Sequence, residues 1–244
     1  MKLIVLGLGS SYPPPGYGGP GLLLDNGHGK LLIDCGKSCM ESLLQLGYNP
    51  CDIRHVYITH SHIDHVYGVF ELLVGKIANR CPKLTVLAHR EVLLPLKQLL
   101  SLMSPSKAIL HYEAVNSYNL GDYTLTPWKA KHSIPTYGVI ISRSHEYLVF
   151  YTSDTGYKED LEAITSKTKI VLAEATLPST HEEETEYHLT VKDFLRLSNI
   201  GEGIIVPVHL SPESLEELIK VLDNKFITKR RILFGRPPLI LSLD

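Results

Sequence analysis

Apolar and polar positions along the chain fall into short segments that switch between the strand period and the helix period. Lys2–Leu8 is a nearly continuous apolar run, the mark of a buried strand. Leu22–Asp25 and Lys30–Asp34 flank Asn26-Gly27, a hairpin signal. Ser10–Gly21, with Pro13-Pro14-Pro15 and four glycines, predicts a loop. Ser38–Leu46 reads as an amphipathic helix stopped by Gly47, His55–Thr59 as a strand, and Val66–Asn79 as a helix. Leu84–Ala88 then predicts a strand and Arg90–Leu102 a helix.

From His111 to Asp154 the chain is β-rich, with alternation in Tyr123–Thr126, Gly138–Ser142 and Tyr147–Tyr151. Strands at Ile170–Glu174 and Gly203–Val208 precede or follow helices at Thr190–Asn199 and Pro212–Asp223. The closing runs Ile232–Phe234 and Leu239–Leu243 read as strands paired with each other. No repeat or linker interrupts the chain, so residues 1–244 are expected to form one α+β domain, two sheets with helices outside.

With 44% hydrophobic and 20% charged residues, the composition excludes a disordered protein. A chain of 244 residues buries roughly 70% of its unfolded surface and needs no disulfide to fold. The net charge of −2 gives no global attraction to nucleic acid. Leu3–Leu8 is too short for a secretory h-region, and no apolar run reaches the ~20 residues of a membrane helix. Cys35, Cys39, Cys51 and Cys81 match no Cys-x-x-Cys pattern. These features predict a soluble, cytoplasmic protein with reduced cysteines and no membrane partner.

Twelve histidines shift attention to metal chemistry. Thr59-His60-Ser61-His62-Ile63-Asp64-His65 lies where a buried strand gives way to a helix. In extended backbone His60 and His62 point the same way, and the following turn sends Asp64 and His65 elsewhere. Each pair can therefore serve its own metal ion. At this chain's histidine and aspartate frequencies the spacing arises by chance about once in a thousand such sequences. Four residues cannot close two sites. His132, Asp154 and His209, each following a β segment, are the candidates to complete them, and a carboxylate such as Asp154 can bridge two cations.

These motifs resemble the metallo-β-lactamase superfamily, whose signature is Thr-His-x-His-x-Asp-His followed by a lone His, a lone Asp and a last His. Leu6-Gly7-Leu8-Gly9-Ser10, Glu174-Ala175-Thr176 and His188-Leu189-Thr190 are similar to its ribonuclease Z branch. The resemblance implies a four-layer αββα sandwich holding two divalent ions, zinc first, with manganese or iron as alternatives. It assigns His60, His62 and His132 to one ion, Asp64, His65 and His209 to the other, and Asp154 to both. It further implies a dinuclear phosphodiesterase or nuclease using a metal-bridging hydroxide, with Asp64 orienting or deprotonating the nucleophile. His188, supported by Glu174, would be the general acid, and Asp34 would steady the ligands. Homodimers are common in that branch.

Ribonuclease Z proper carries a long transfer-RNA-binding arm between its third motif and its bridging aspartate. Here His132 and Asp154 stand 22 positions apart, and the arm is missing. Only Lys229-Arg230-Arg231 resembles a basic cluster, read here as a solvated turn. The expected substrate is therefore a small or nucleic-acid-derived phosphodiester rather than transfer RNA. Two other readings stand beside it: a thioester or lactone hydrolase of the glyoxalase II or lactonase type, and an iron-dependent oxidoreductase. The first leaves His188 without a task. The second meets His62 where the di-iron redox members carry Glu. Gly7-Leu8-Gly9 fails as a dinucleotide motif because Tyr12 and Pro13 follow. Pro13–Gly21 is a candidate frame for the substrate mouth, Cys35 and Cys39 read as buried core residues, and Glu182-Glu183-Glu184 as an acidic loop.

Overall fold

The structure is a computed structural model describing residues 1–103, 106, 109–181, 186–223 and 228–243. The acidic run Glu182-Glu183-Glu184 lies outside the described residues. The first sheet opens with an antiparallel meander of β1 (Lys2–Gly7), β2 (Gly21–Asp25) and β3 (Lys30–Ile33). It continues in parallel through β4 (His55–Tyr57), β5 (Leu84–Ala88) and β6 (Leu110–Ala114). Parallel neighbours need long crossovers. They are supplied by α1 (Cys39–Gln45), α2 (Ile63–Ala78) and α3 (Arg90–Met103).

The second sheet repeats the plan. β7 (Tyr118–Leu120), β8 (Tyr123–Lys129), β9 (Tyr137–Arg143) and β10 (Glu146–Tyr151) run antiparallel. β11 (Ile170–Glu174), β12 (Ile204–Val208) and β13 (Arg231–Ile232) follow in parallel, reached through α4 (Glu159–Lys167), α5 (Val191–Ser198) and α6 (Pro212–Asp223). Thr190 opens α5 with a capping box, its hydroxyl taking the Asp193 N–H while the Asp193 carboxylate takes the Thr190 N–H.

The alternation along β1 shows how the layers stack. Leu3 and Val5 share the inter-sheet core with Leu125, Val139, Ile141 and Phe150. Ile4 and Leu6, on the opposite face, pack with Leu43 of α1 and Val69 and Leu73 of α2. Helix, sheet, sheet and helix give the expected αββα sandwich. No helix among the described residues is long and apolar enough to cross a membrane.

Several expectations need correction. Ile232–Phe234 and Leu239–Leu243 do not pair with each other. β13 extends the second sheet beside β12, whereas β14 (Leu239–Ser242) crosses to the first sheet and lies antiparallel to β1. Strand periodicity shows which face is buried and says nothing about the partner. Helix α4 has no counterpart in the sequence reading because only Leu161 and Thr165 on it are buried, too thin a stripe to register.

Cys51 and Cys81 form a disulfide across 30 residues, against the expectation of reduced cysteines, while Cys35 and Cys39 are free and buried as expected. Lys229-Arg230-Arg231 is not simply a solvated turn either. Arg230 is fully buried, and its guanidinium donates to the carbonyls of Ile200, Thr165 and Thr168.

Candidate metal centre

All seven proposed ligands come from the same end of the sandwich. His60, His62, Asp64 and His65 follow β4; His132 follows β8, Asp154 follows β10 and His209 follows β12. His62 is the extended residue before α2, which places Asp64 and His65 in the first helical turn. The anionic Asp64 there faces the positive end of the helix dipole. The turn packs so tightly on the β3 end that a Cβ on Gly36 would sit 2.3 Å from the Asp64 carbonyl oxygen. Asp34, Ser153 and His209 all hold left-handed backbone, with φ of 54°, 52° and 56°. Such conformations cost of order 1–3 kcal/mol each and gather at functional sites.

The side chains meet in two groups. His62 Nδ1 lies 3.1 Å from His60 Nε2 and 3.0 Å from His132 Nε2. Asp64 Oδ2 lies 3.1 Å from His209 Nε2 and 3.8 Å from His65 Nε2. Asp154 spans both. Its Oδ2 is 3.7 Å from His60, 3.8 Å from His132 and 3.3 Å from His209, and its Oδ1 is 3.2 Å from His65 Nε2.

Hydrogen bonding behind the ligands sets which nitrogen each histidine turns inward. His65 Nδ1 donates to Asp34 Oδ2 at 2.8 Å, and His132 Nδ1 donates to the Tyr187 carbonyl at 3.1 Å. His209 Nδ1 meets the Thr176 hydroxyl, which itself donates to Glu174 and so must accept from the ring. A carboxylate or carbonyl can only accept, so each Nδ1 keeps its proton and each Nε2 presents a lone pair. His62 is the exception and presents Nδ1.

This donor set fits divalent cations. A tetrahedral zinc ion with bonds of about 2.0–2.1 Å separates its ligand atoms by roughly 3.3–3.4 Å. The observed spacings of 3.0 to 3.8 Å bracket that value. His65 Nε2 and Asp154 Oδ1 are buried with no hydrogen-bond partner, an arrangement a cation would satisfy. Burial presses His60, His62 and His132 toward the neutral form that ligates. Burial opposes the charge on Asp154, but the imidazoles of His209 and His65 outweigh it and hold the carboxyl well below its usual range.

His188 borders the two groups, and one of its ring nitrogens lies within 4.8 Å of ligand atoms of Asp154 and His209. Its ring centroid lies 5.1 Å from that of His132 and 5.5 Å from that of His209. Nδ1 faces both oxygens of the fully buried Glu174 at 3.1 and 3.2 Å. Burial works against its charge, yet Glu174 prevails and pushes the pKa up to about 9. The Pro13–Gly21 loop reaches this end as well, because Pro13 and Gly19 line a cleft of about 150 Å³ with Asp64, Ile63 and Tyr67.

A family described as Anti-Pycsar protein Apyc1 matches residues 1–233. The chain belongs to the Apyc1 family. A probable metallo-hydrolase, YhfI of Bacillus subtilis (strain 168), is 23% identical over 216 residues, covering 86% of this chain and 87% of that protein. The YhfI crystal structure, described as a metallo-β-lactamase fold protein, superposes on this Apyc1-family chain with a TM-score of 0.80 over 98% of each. Ribonuclease Z of Methanopyrus kandleri is 29% identical over 137 residues, 54% of this chain and 46% of that enzyme. The match thus spans about half the length of that relative. A diphosphatase of the PhnP family shares the fold at 16% identity, with a TM-score of 0.74 and coverage of 99% and 97%. The protein is therefore a ribonuclease Z-like member of the metallo-β-lactamase superfamily.

The sequence reading missed the partners behind the ligands. Tyr151 donates to Asp34 at 3.1 Å from the opposite sheet, and its burial within an alternating strand marked it only as core. Ser153 and Thr176 were visible as neighbours of motif residues, without any signal of what they bond.

Proposed function

We propose that this metal-dependent hydrolase is a dinuclear phosphodiesterase, with His60, His62 and His132 on one zinc ion, Asp64, His65 and His209 on the other, and Asp154 shared. Asp154 supports the dinuclear reading because its two oxygens reach ligands of both groups. Divalent cations bound there would supply Lewis acidity, acidifying water and offsetting negative charge on a phosphoryl group. Burial opposes the charge on Asp64, but the neighbouring imidazoles of His209 and His65 outweigh it and lower the carboxyl's pKa. It can therefore accept a proton from, or orient, an attacking group.

The observation that carries the phosphodiester assignment is the His188–Glu174 pair. With Nδ1 committed to Glu174, His188 keeps Nε2–H as the proton it can give up, and a pKa of about 9 leaves the ring charged at neutral pH. A poor alkoxide leaving group needs such an acid. A thiolate leaves without one, so a thioester hydrolase would leave the pair idle. Burial of Arg230 removes the centre of the basic cluster and supports a small diester over transfer RNA. Ile63, Tyr67, Phe70, Val74 and Ile77 form an exposed apolar stripe along α2, which supports a homodimer. The test is a substrate panel on zinc- and manganese-loaded protein, spanning small phosphodiesters, cyclic nucleotides, precursor transfer RNA and thioesters. Turnover confined to small diesters is expected, and turnover confined to thioesters would overturn the reading.

A further inference from the structure

Thr59 sits at the centre of a buried polar seam joining the two sheets beneath the ligands. A hydroxyl carries one proton and two lone pairs. Thr59 Oγ1 lies 2.9 and 3.0 Å from the two oxygens of Asp34, which can only accept, so its proton goes there. Its lone pairs then face two donors. Ser153 Oγ donates from 2.9 Å, and His60 Nδ1 lies at 3.1 Å.

All four side chains are buried, with His60 and Thr59 at 0% exposure, so water cannot substitute for any partner. The proton count admits one arrangement: His60 carries its proton on Nδ1 and presents a bare Nε2 toward His62 and Asp154. Asp34 also takes the His65 Nδ1 proton, so one carboxylate orients a ligand of each group, directly for His65 and through Thr59 for His60.

We infer that Thr59 is a positioning residue that fixes the tautomer of His60, the next residue along the chain. This rests on the two-metal reading above. Without the hydroxyl, His60 Nδ1–H loses its acceptor in a dry site, and the ring favours the other tautomer, whose Nε2 proton points where the cation would bind. Asp34 keeps the Thr59 N–H, Tyr151 and His65 as donors, so the second group retains its orientation.

The experiment compares wild type, Thr59→Val and Thr59→Ser. Imidazole nitrogen NMR on the zinc-free proteins reads the tautomer, and competition with a chromophoric chelator reads the affinity of each zinc equivalent. Wild type and Thr59→Ser are expected to show His60 protonated on Nδ1 and to bind two equivalents. Thr59→Val is expected to lose that signature and to weaken one equivalent by about 10–100-fold, the scale for partners behind metal ligands. The other equivalent should stay within about threefold, well inside that scale. An unchanged His60 signature in Thr59→Val, or equal weakening of both equivalents, overturns the inference. Fewer than two equivalents on wild type would instead overturn the two-metal reading itself.

Discussion

His188→Ala separates phosphodiester chemistry from the other hydrolytic readings. The ring is tied to the protein through Glu174 and, although it lies within ligand reach of Asp154 and His209, it belongs to neither of the two ligand groups proposed above, so its removal should leave zinc binding intact. A pKa of about 9 means that about 99% of His188 is protonated at pH 7, against about 24% for an ordinary histidine of pKa 6.5. Its loss should cost about 10²–10⁴-fold in kcat on a nucleotide diester with an alkoxide leaving group. That equals roughly 3–5 kcal/mol of transition-state stabilisation. On a p-nitrophenyl diester, whose leaving group is already acidic, the loss should stay below about tenfold.

The pH profile adds a second check. The acid works only when protonated, so the wild-type rate on the nucleotide diester should fall as pH rises through about 9. The variant should lack that limb. Steady-state kinetics on both substrates, with zinc content measured on the same samples, decides the matter. Equal losses on both substrates would refute the general-acid role, and loss of zinc would make His188 a ligand.

Other perturbations test separate parts of the structure. Asp154→Ala should weaken both zinc equivalents at once in a chelator competition, whereas His62→Ala should weaken chiefly one. Replacing Cys51 and Cys81 with serine should lower stability to urea by about 3–4 kcal/mol, the loop-closure entropy for a bridge spanning 30 residues, without changing zinc content. Lys76 is fully buried, donating to the Pro50 and Ile53 carbonyls, and burial lowers its pKa from 10.5 to about 8. Between those values the unfolded chain binds more protons, so this residue makes stability rise with pH, by up to about 3 kcal/mol. Urea titrations at pH 7.5 and 10 should show that increment in wild type and not in Lys76→Met.

How far the sequence revealed this protein depended on range. Thr59–His65 was legible because four ligand side chains, three His and one Asp, crowd into seven positions, and His132, Asp154 and His209 because each follows a strand. Buried alternating runs marked the sheets, since their side-chain period matches the pleat. The destinations of β13 and β14 were not legible, because an edge strand satisfies the same pattern in either sheet. Arg230 reads in sequence as a surface charge because the five backbone carbonyls around its guanidinium come from distant segments of the chain. Cys51 and Cys81 carry no local spacing signal, and the fold alone brings their Cα atoms to 4.9 Å. The hydrogen bonds of Tyr151 and Ser153 to the opposite sheet share that property, joining positions 117 and 94 residues apart.

The most direct test is the metal content of the purified protein, measured by elemental analysis after zinc loading and gel filtration, alongside hydrolysis of a small phosphodiester. Two zinc equivalents per chain, with diesterase activity that disappears on chelation and returns as both are restored, is the predicted result. At most one equivalent at saturation, or full diesterase activity in the chelated protein, would contradict a shared Asp154 joining two metal positions.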